Sequence, residues 1–196
     1  MQGTLNRWRT QTFTPTEAAA FAQLSAKQVR KELENRFLQL RSRKRPRLPF
    51  SALVYLRVVR LSGLSLAVAD RARLYRLITE GLAQTPAPER VEFASVMSLS
   101  LGWLASEMAT TLARFDAWKS KLITDPGLSG ETLFPQCQRT VRHIGELLER
   151  GESPSAILLE HPGLCPQDIE FSQLFVKAYP RVGRPRRRGR ATNPNV

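Results

Sequence analysis

Between residues 14 and 36 the alternation of small apolar, capping and charged residues predicts two short helices. Thr14-Pro15-Thr16-Glu17 sets a capping threonine before a proline at the first helical position, with a glutamate placed to close a capping box. The alanine-rich run Ala18 to Ala22, with Phe21, continues that helix to Gln23-Leu24. Ser25-Ala26-Lys27-Gln28 then repeats the box, with Gln28 as the reciprocal partner, so a second helix follows a tight turn. On it Val29 and Leu33 lie four apart and share the inward face, leaving Lys27, Gln28, Arg30 and Lys31 pointing outward or along the flanks. The pattern is that of a helix-turn-helix with an outward-facing recognition helix.

Further along, Arg41-Ser42-Arg43-Lys44-Arg45-Pro46-Arg47 reads as a basic loop or wing, and Leu48-Pro49-Phe50 opens a new helix. From Ser51 to Leu61, the apolar residues Leu53, Val54, Leu56, Val58, Val59 and Leu61 nearly encircle that helix, which predicts burial on several sides. Gly63 breaks it. Ser65 is positioned to cap a helix running to about Glu80, with Leu66, Leu74, Leu77 and Ile78 inward and Gly81 at its end. Thr85-Pro86-Ala87-Pro88 reads as a linker. Val91, Phe93, Leu99 and Leu101 alternate as in a short strand or hairpin, and Trp103, Leu104, Met108, Leu112, Phe115 and Trp118 or Lys119 mark an amphipathic helix over 102–120. Asp125-Pro126-Gly127 is a turn sequence.

Punctuation is dense in the last third. Val141, Ile144, Leu147 and Leu148 form one helix face ended by Gly151, Ser153-Pro154 starts a second helix, and His161-Pro162-Gly163 stops it. Cys165-Pro166-Gln167-Asp168 starts a third helix, with Ile169, Leu174, Phe175 and Ala178 inward and Pro180 as its stop. The expected fold is mainly α. A helix-turn-helix region occupies 1–48, a helical middle or dimerisation region 49–120, a trihelical, homeodomain-like domain 121–180, and a basic tail 181–196. The tail has no core-forming run, which predicts disorder without a partner.

Composition narrows the function classes. With 42% hydrophobic residues in 196, the chain can bury a core, yet no apolar run approaches the roughly 20 residues of a membrane span. Arg7 and Arg9 beside Trp8 do not read as a secretory leader, and two cysteines, Cys137 and Cys165, suit a reducing cytoplasm. The net charge of +13 is unevenly placed: residues 1–60 carry +10, 61–180 carry −3 and 181–196 carry +6. Basic ends around a slightly acidic middle point to sites that meet a polyanion.

Helix-mounted Lys and Arg neutralise phosphates, and base edges are read by bidentate side chains, Gln with adenine and Arg with guanine. Gln28 and Arg30 are therefore the expected base readers. Lys27, Lys31, Arg41, Arg43, Lys44, Arg45 and Arg47 are the expected phosphate contacts. A single module binds weakly, so a dimer is expected; the apolar stripes of 51–61, 66–80 and 103–119 serve either its interface or an intramolecular core. Gly183-Arg184-Pro185-Arg186, flanked by Arg181, Arg187, Arg188 and Arg190, is similar to an AT-hook core suited to a narrow A·T minor groove. The spacing of Cys137, His143, His161 and Cys165 matches no common zinc finger. No phosphate-binding glycine loop, nucleophile elbow or metalloprotease helix is present in the sequence, so a non-enzymatic protein without cofactor or metal is expected.

Residues 120–186 resemble a family of small bacterial domains, first catalogued as a domain of unknown function and later assigned as VapB-like antitoxins of PIN-like ribonuclease toxins. The resemblance rests on Asp125-Pro126, Gly130-Glu131, Phe134, Val141 with Ile144, Leu147-Leu148, Gly151 with Ser153-Pro154, Ile157-Leu158, His161-Pro162-Gly163-Leu164 and Asp168-Ile169. Longer members also carry an amino-terminal helix-turn-helix like 13–36 and a tail like Gly183-Arg184-Pro185. Where members have a Gly-Thr-Arg-Ile/Val-Pro turn, this chain has Gln136-Cys137-Gln138-Arg139-Thr140. The resemblance implies a cytoplasmic antitoxin, a homodimer or a hetero-oligomer with its toxin. It would silence a PIN-like toxin and repress the shared operon by binding operator DNA. It also gives the tail another role, in which an arginine pairs with the acidic metal site of the toxin. Two other readings stay open: a stand-alone helix-turn-helix regulator without a toxin, and an RNA-binding module.

Overall fold

The computed structural model describes residues 7–38, 40, 45–63, 65–94, 97–125 and 131–181, and the chain is mainly helical. After a helical turn at 7–9 come α1 (Pro15–Ala22), α2 (Ala26–Glu34), α3 (Phe50–Ser62), α4 (Val68–Ala83), α5 (Leu101–Lys119), α6 (Val141–Glu149), α7 (Pro154–Glu160) and α8 (Pro166–Ala178). Among the described residues, small antiparallel pairs join them: β1 (Thr12–Phe13) with β2 (Leu48–Pro49), β3 (Val91–Ala94) with β4 (Met97–Leu99), and β5 (Ile123–Asp125) with β6 (Glu131–Leu133). Of the expected turn Asp125-Pro126-Gly127, Asp125 is the last residue of β5 and the other two lie outside the described residues.

Local capping explains the first two helices. Glu17 N–H donates to Thr14 Oγ1 at 3.2 Å and Thr14 N–H to Glu17 Oε2 at 2.7 Å, closing the first box. All of Ala18, Ala19, Ala20, Phe21 and Ala22 are buried, because α1 is walled by α2, α3, α5 and α8 together. Alanine side chains keep it thin enough for neighbours to approach from several sides.

The apolar pattern of α3 becomes burial of Phe50, Ala52, Leu53, Val54, Tyr55, Leu56 and Val58, but the expected burial stops short of the helix end, where Val59 is partly buried and Leu61 is exposed. Two expectations for α4 need correction. Its N-cap is Ala67 and not Ser65; Arg71 Nε donates to the Leu66 carbonyl at 2.9 Å and holds the segment just ahead of the helix. Gly81 lies inside α4 and not at its end, where a Cβ would come within 2.6 Å of the Leu101 side chain, so glycine there permits close approach to α5. Trp103, expected on the inward face of α5, is instead 57% exposed, whereas Leu104, Met108, Leu112 and Phe115 are buried. The region 91–101 is a hairpin leading into α5.

In the last third, Thr140 and Ser153 cap α6 and α7 through His143 N–H and Ala156 N–H. α6 packs closely on α8, since an added Cβ at Gly145 would lie 2.7 Å from the Ser172 carbonyl. Most of the buried apolar residues form one cluster that runs from Trp8 to Phe175, with α1 lying against α8. Phe21, Phe115 and Phe171 carry the aromatic part of that junction, at ring separations of 5.0 and 5.2 Å.

Candidate nucleic-acid interface

The α1–α2 corner is built by two local devices. Gln23 ends α1 in the left-handed region with φ 58°, and its side-chain carbonyl accepts from Arg57 Nη1 at 2.8 Å. The other Arg57 nitrogens grip Glu107 of α5 bidentately, so the turn is tied to α3 and α5 at once. Ser25 then caps α2, with Gln28 N–H donating to Ser25 Oγ at 3.2 Å and Ser25 N–H to Gln28 Oε1 at 3.0 Å.

Lys27, Gln28, Arg30 and Lys31 are all exposed on α2, as the apolar spacing required, and Val29 is fully buried beneath them. Lys27, Arg30 and Lys31 form no ion pair among the described residues. Gln28 is partly committed: its carbonyl oxygen also accepts from Ser25 Oγ at 2.9 Å, so the free end is its amide NH₂. A bidentate adenine contact from Gln28 would have to open the box. Glu34, exposed and seven residues after Lys27, stands on the same stripe and adds a negative charge at its far end.

What holds α2 in place is a buried charge cluster that sequence reasoning missed. Glu32 lies in the helix's inner face, where Tyr55 Oη donates to its Oε2 at 2.8 Å and Arg71 Nη1 to its Oε1 at 2.7 Å. Burial, reinforced by the bond to Glu32, pushes the Tyr55 hydroxyl far above the ordinary tyrosine range. Phe37 and Tyr75 close the cluster against Tyr55, at ring separations of 5.6 and 5.7 Å. In the sequence Glu32 reads as one more surface charge, because its partners sit 23 and 39 residues away.

The other expected contacts are placed differently. Arg47 is half-exposed, its guanidinium 3.8 Å from Glu17, and Arg45 is exposed; Arg41, Arg43 and Lys44 lie outside the described residues. Arg181 is engaged in the fold, 3.6 Å from both Glu131 and Glu146, while Arg184, Arg186, Arg187, Arg188 and Arg190 lie outside the described residues. Tyr179 sits beside Glu17, and burial, then that carboxylate, push its hydroxyl far up. Arg47 and the end of α8 therefore meet at the start of α1. Lys27 to Lys31 begin beyond its other end, roughly 12 Å away along eight helical residues.

Cys137, His143, His161 and Cys165 form no metal-ligand group among the described residues. No helix of the described residues is long and apolar enough to cross a membrane. Most apolar positions of α3, α4 and α5 are spent inside the chain, leaving Leu61, Val68 and Trp103 exposed. No family model, no curated protein and no solved structure matches this chain.

Proposed function

We propose that the chain is a cytoplasmic antitoxin and transcriptional autoregulator. In this reading α1 and α2 form a helix-turn-helix that binds operator DNA, and α6 to α8 form a trihelical domain that binds and silences a PIN-like ribonuclease toxin. The observation that carries the DNA half is the outward stripe of Lys27, Arg30 and Lys31, without ion pairs among the described residues, on a helix whose inner face is locked by Glu32, Tyr55 and Arg71. A rigid mount matters because base readout needs a side chain held in register with the groove. Arg30 is the base reader best placed, and Lys27 and Lys31 neutralise phosphates. What supports the toxin half is the resemblance of residues 120–186 to VapB-like antitoxins.

A homodimer would present two copies of α2 to successive half-sites, with exposed Leu61, Val68 and Trp103 available to the contact. In the same reading the tail beyond Arg181 reaches the acidic site of the toxin.

The test is co-expression of a tagged chain with the product of the adjacent gene, followed by pull-down, mass measurement and ribonuclease assay. The expected result is a stable complex whose ribonuclease activity returns on deletion of 181–196, while binding to upstream duplex DNA persists. A chain that elutes alone and still shifts its own promoter DNA with steep salt dependence is a stand-alone regulator, and the toxin half is then wrong. A chain that retains no duplex DNA at low salt refutes the DNA half.

A further inference from the structure

On the flank of α2, its side chains meet the end of α3 and the start of α4 around a cleft of about 330 Å³. Gln28, Lys31, Arg60, Gly63, Ser65 and Arg71 lie along it. Its chemistry is one-sided. Arg71 spends one guanidinium nitrogen on Glu32 and another on the Leu66 carbonyl, and Glu32 is in turn saturated by Arg71 and Tyr55. Lys31 and Arg60 are exposed, on two different helices, and neither has an ion-pair partner among the described residues. Gln28 has its carbonyl occupied by the capping box, so it offers the cleft an NH₂ group. Ser65 adds a hydroxyl.

The cleft thus gathers hydrogen-bond donors and two uncompensated positive charges, and the one carboxylate that borders it is already satisfied. The ligand this suits has several acceptor oxygens and negative charge, which is the description of a phosphate group. Its position decides the source, because Lys31 and Gln28 belong at once to this cleft and to the outward face of α2.

We propose that this corner seats a backbone phosphate of the duplex that α2 reads, with Arg60 as a phosphate contact outside the helix pair. The proposal rests on the DNA-binding reading above. It transfers part of the electrostatic anchoring from the 41–47 segment to the α3–α4 junction.

The experiment compares the full-length chain with Arg60→Gln, Lys31→Gln and, as a remote charge control, Arg90→Gln, which lies exposed beyond the opposite end of α4 from Arg71. Affinity for a fluorescent duplex is measured from 50 to 200 mM salt, on the upstream sequence and on a scrambled one. Each lost phosphate contact lowers the slope of log affinity against log salt by about 0.9. The expected result is that decrease for Arg60→Gln and for Lys31→Gln, equal on both duplexes, with Arg90→Gln unchanged and thermal unfolding unaltered. Wild-type slope in Arg60→Gln overturns the proposal while leaving the DNA-binding reading intact; absence of duplex binding by the wild type overturns both. In a parallel arm, inorganic phosphate is added to wild type and Arg60→Gln without DNA. Stabilisation of the wild type alone, combined with an unchanged DNA slope, would assign the corner to a free phosphate compound and overturn the backbone source.

Discussion

Replacing Glu32 by Gln keeps the shape of the side chain and one carbonyl acceptor but removes its charge, which isolates the electrostatic part of the α2 mount. The Glu32 side chain is 6% exposed and that of Arg71 18%, and their closest atoms are 2.7 Å apart. Two unit charges about 4 Å apart at an effective dielectric of about 20 interact by about 4 kcal/mol. Arg71 keeps some access to water and recovers part of that, so the expected loss is about 3 kcal/mol, at the lower edge of what breaking a buried pair costs. In urea unfolding with a slope of about 2 kcal/mol per molar, the midpoint should fall by about 1.5 M. A companion variant separates an unpaired charge from a lost contact. Converting Glu32, Tyr55 and Arg71 together to Leu, Phe and Met removes every member, and stability should return to within about 1 kcal/mol of wild type. A loss below about 1 kcal/mol in Glu32→Gln, or a triple variant no better than the single one, would refute the argument that charge pairing holds α2.

Gly145→Ala should lower stability by about 2 kcal/mol, and the melting temperature by about 4–8 °C, because its Cβ meets the Ser172 backbone; an unchanged melt would show that α6 and α8 can separate freely. Ser25→Ala should cost about 1 kcal/mol through loss of the capping box, read by thermal circular dichroism. The raised Tyr55 hydroxyl gives a signed pH dependence. Its contribution is fully present below the ordinary tyrosine value of about 10 and is lost as pH rises further, so stability should fall in the alkaline range. Tyr55→Phe should make that fall shallower, with the raised Tyr179 hydroxyl supplying the remainder, measured by urea midpoints from pH 8 to 11.

The parts of this fold legible in the sequence are those whose causes are local. Thr14 with Glu17 and Ser25 with Gln28 act within four residues, so the starts of α1 and α2 follow from the local order of residues alone, as does the outward stripe Lys27, Arg30 and Lys31. Ser65 and Gly81 misled because each has the local chemistry of a helix end. Arg71 fixes the real start of α4 from inside the helix, and contact with Leu101 explains the glycine. Glu32, Arg60 and the engagement of Arg181 with Glu131 and Glu146 depend on neighbours brought together only by folding. Periodicity ranks a side chain as inward or outward, and it is silent on which charge will find a partner there.

The thin, alanine-walled α1 bears on how this chain can change over generations. A genetic exchange at the proline-rich stretch 85–88 would separate α1 from α5 and α8, two of the elements that bury it. One fragment would carry a helix stripped of half its socket, and the other would expose the faces of Phe115 and Phe171. Each half is therefore inherited with the width of the other built into it. A substitution that enlarges Ala18 or Ala22 selects for compensating change on the far side of the molecule before it touches any residue that meets a partner.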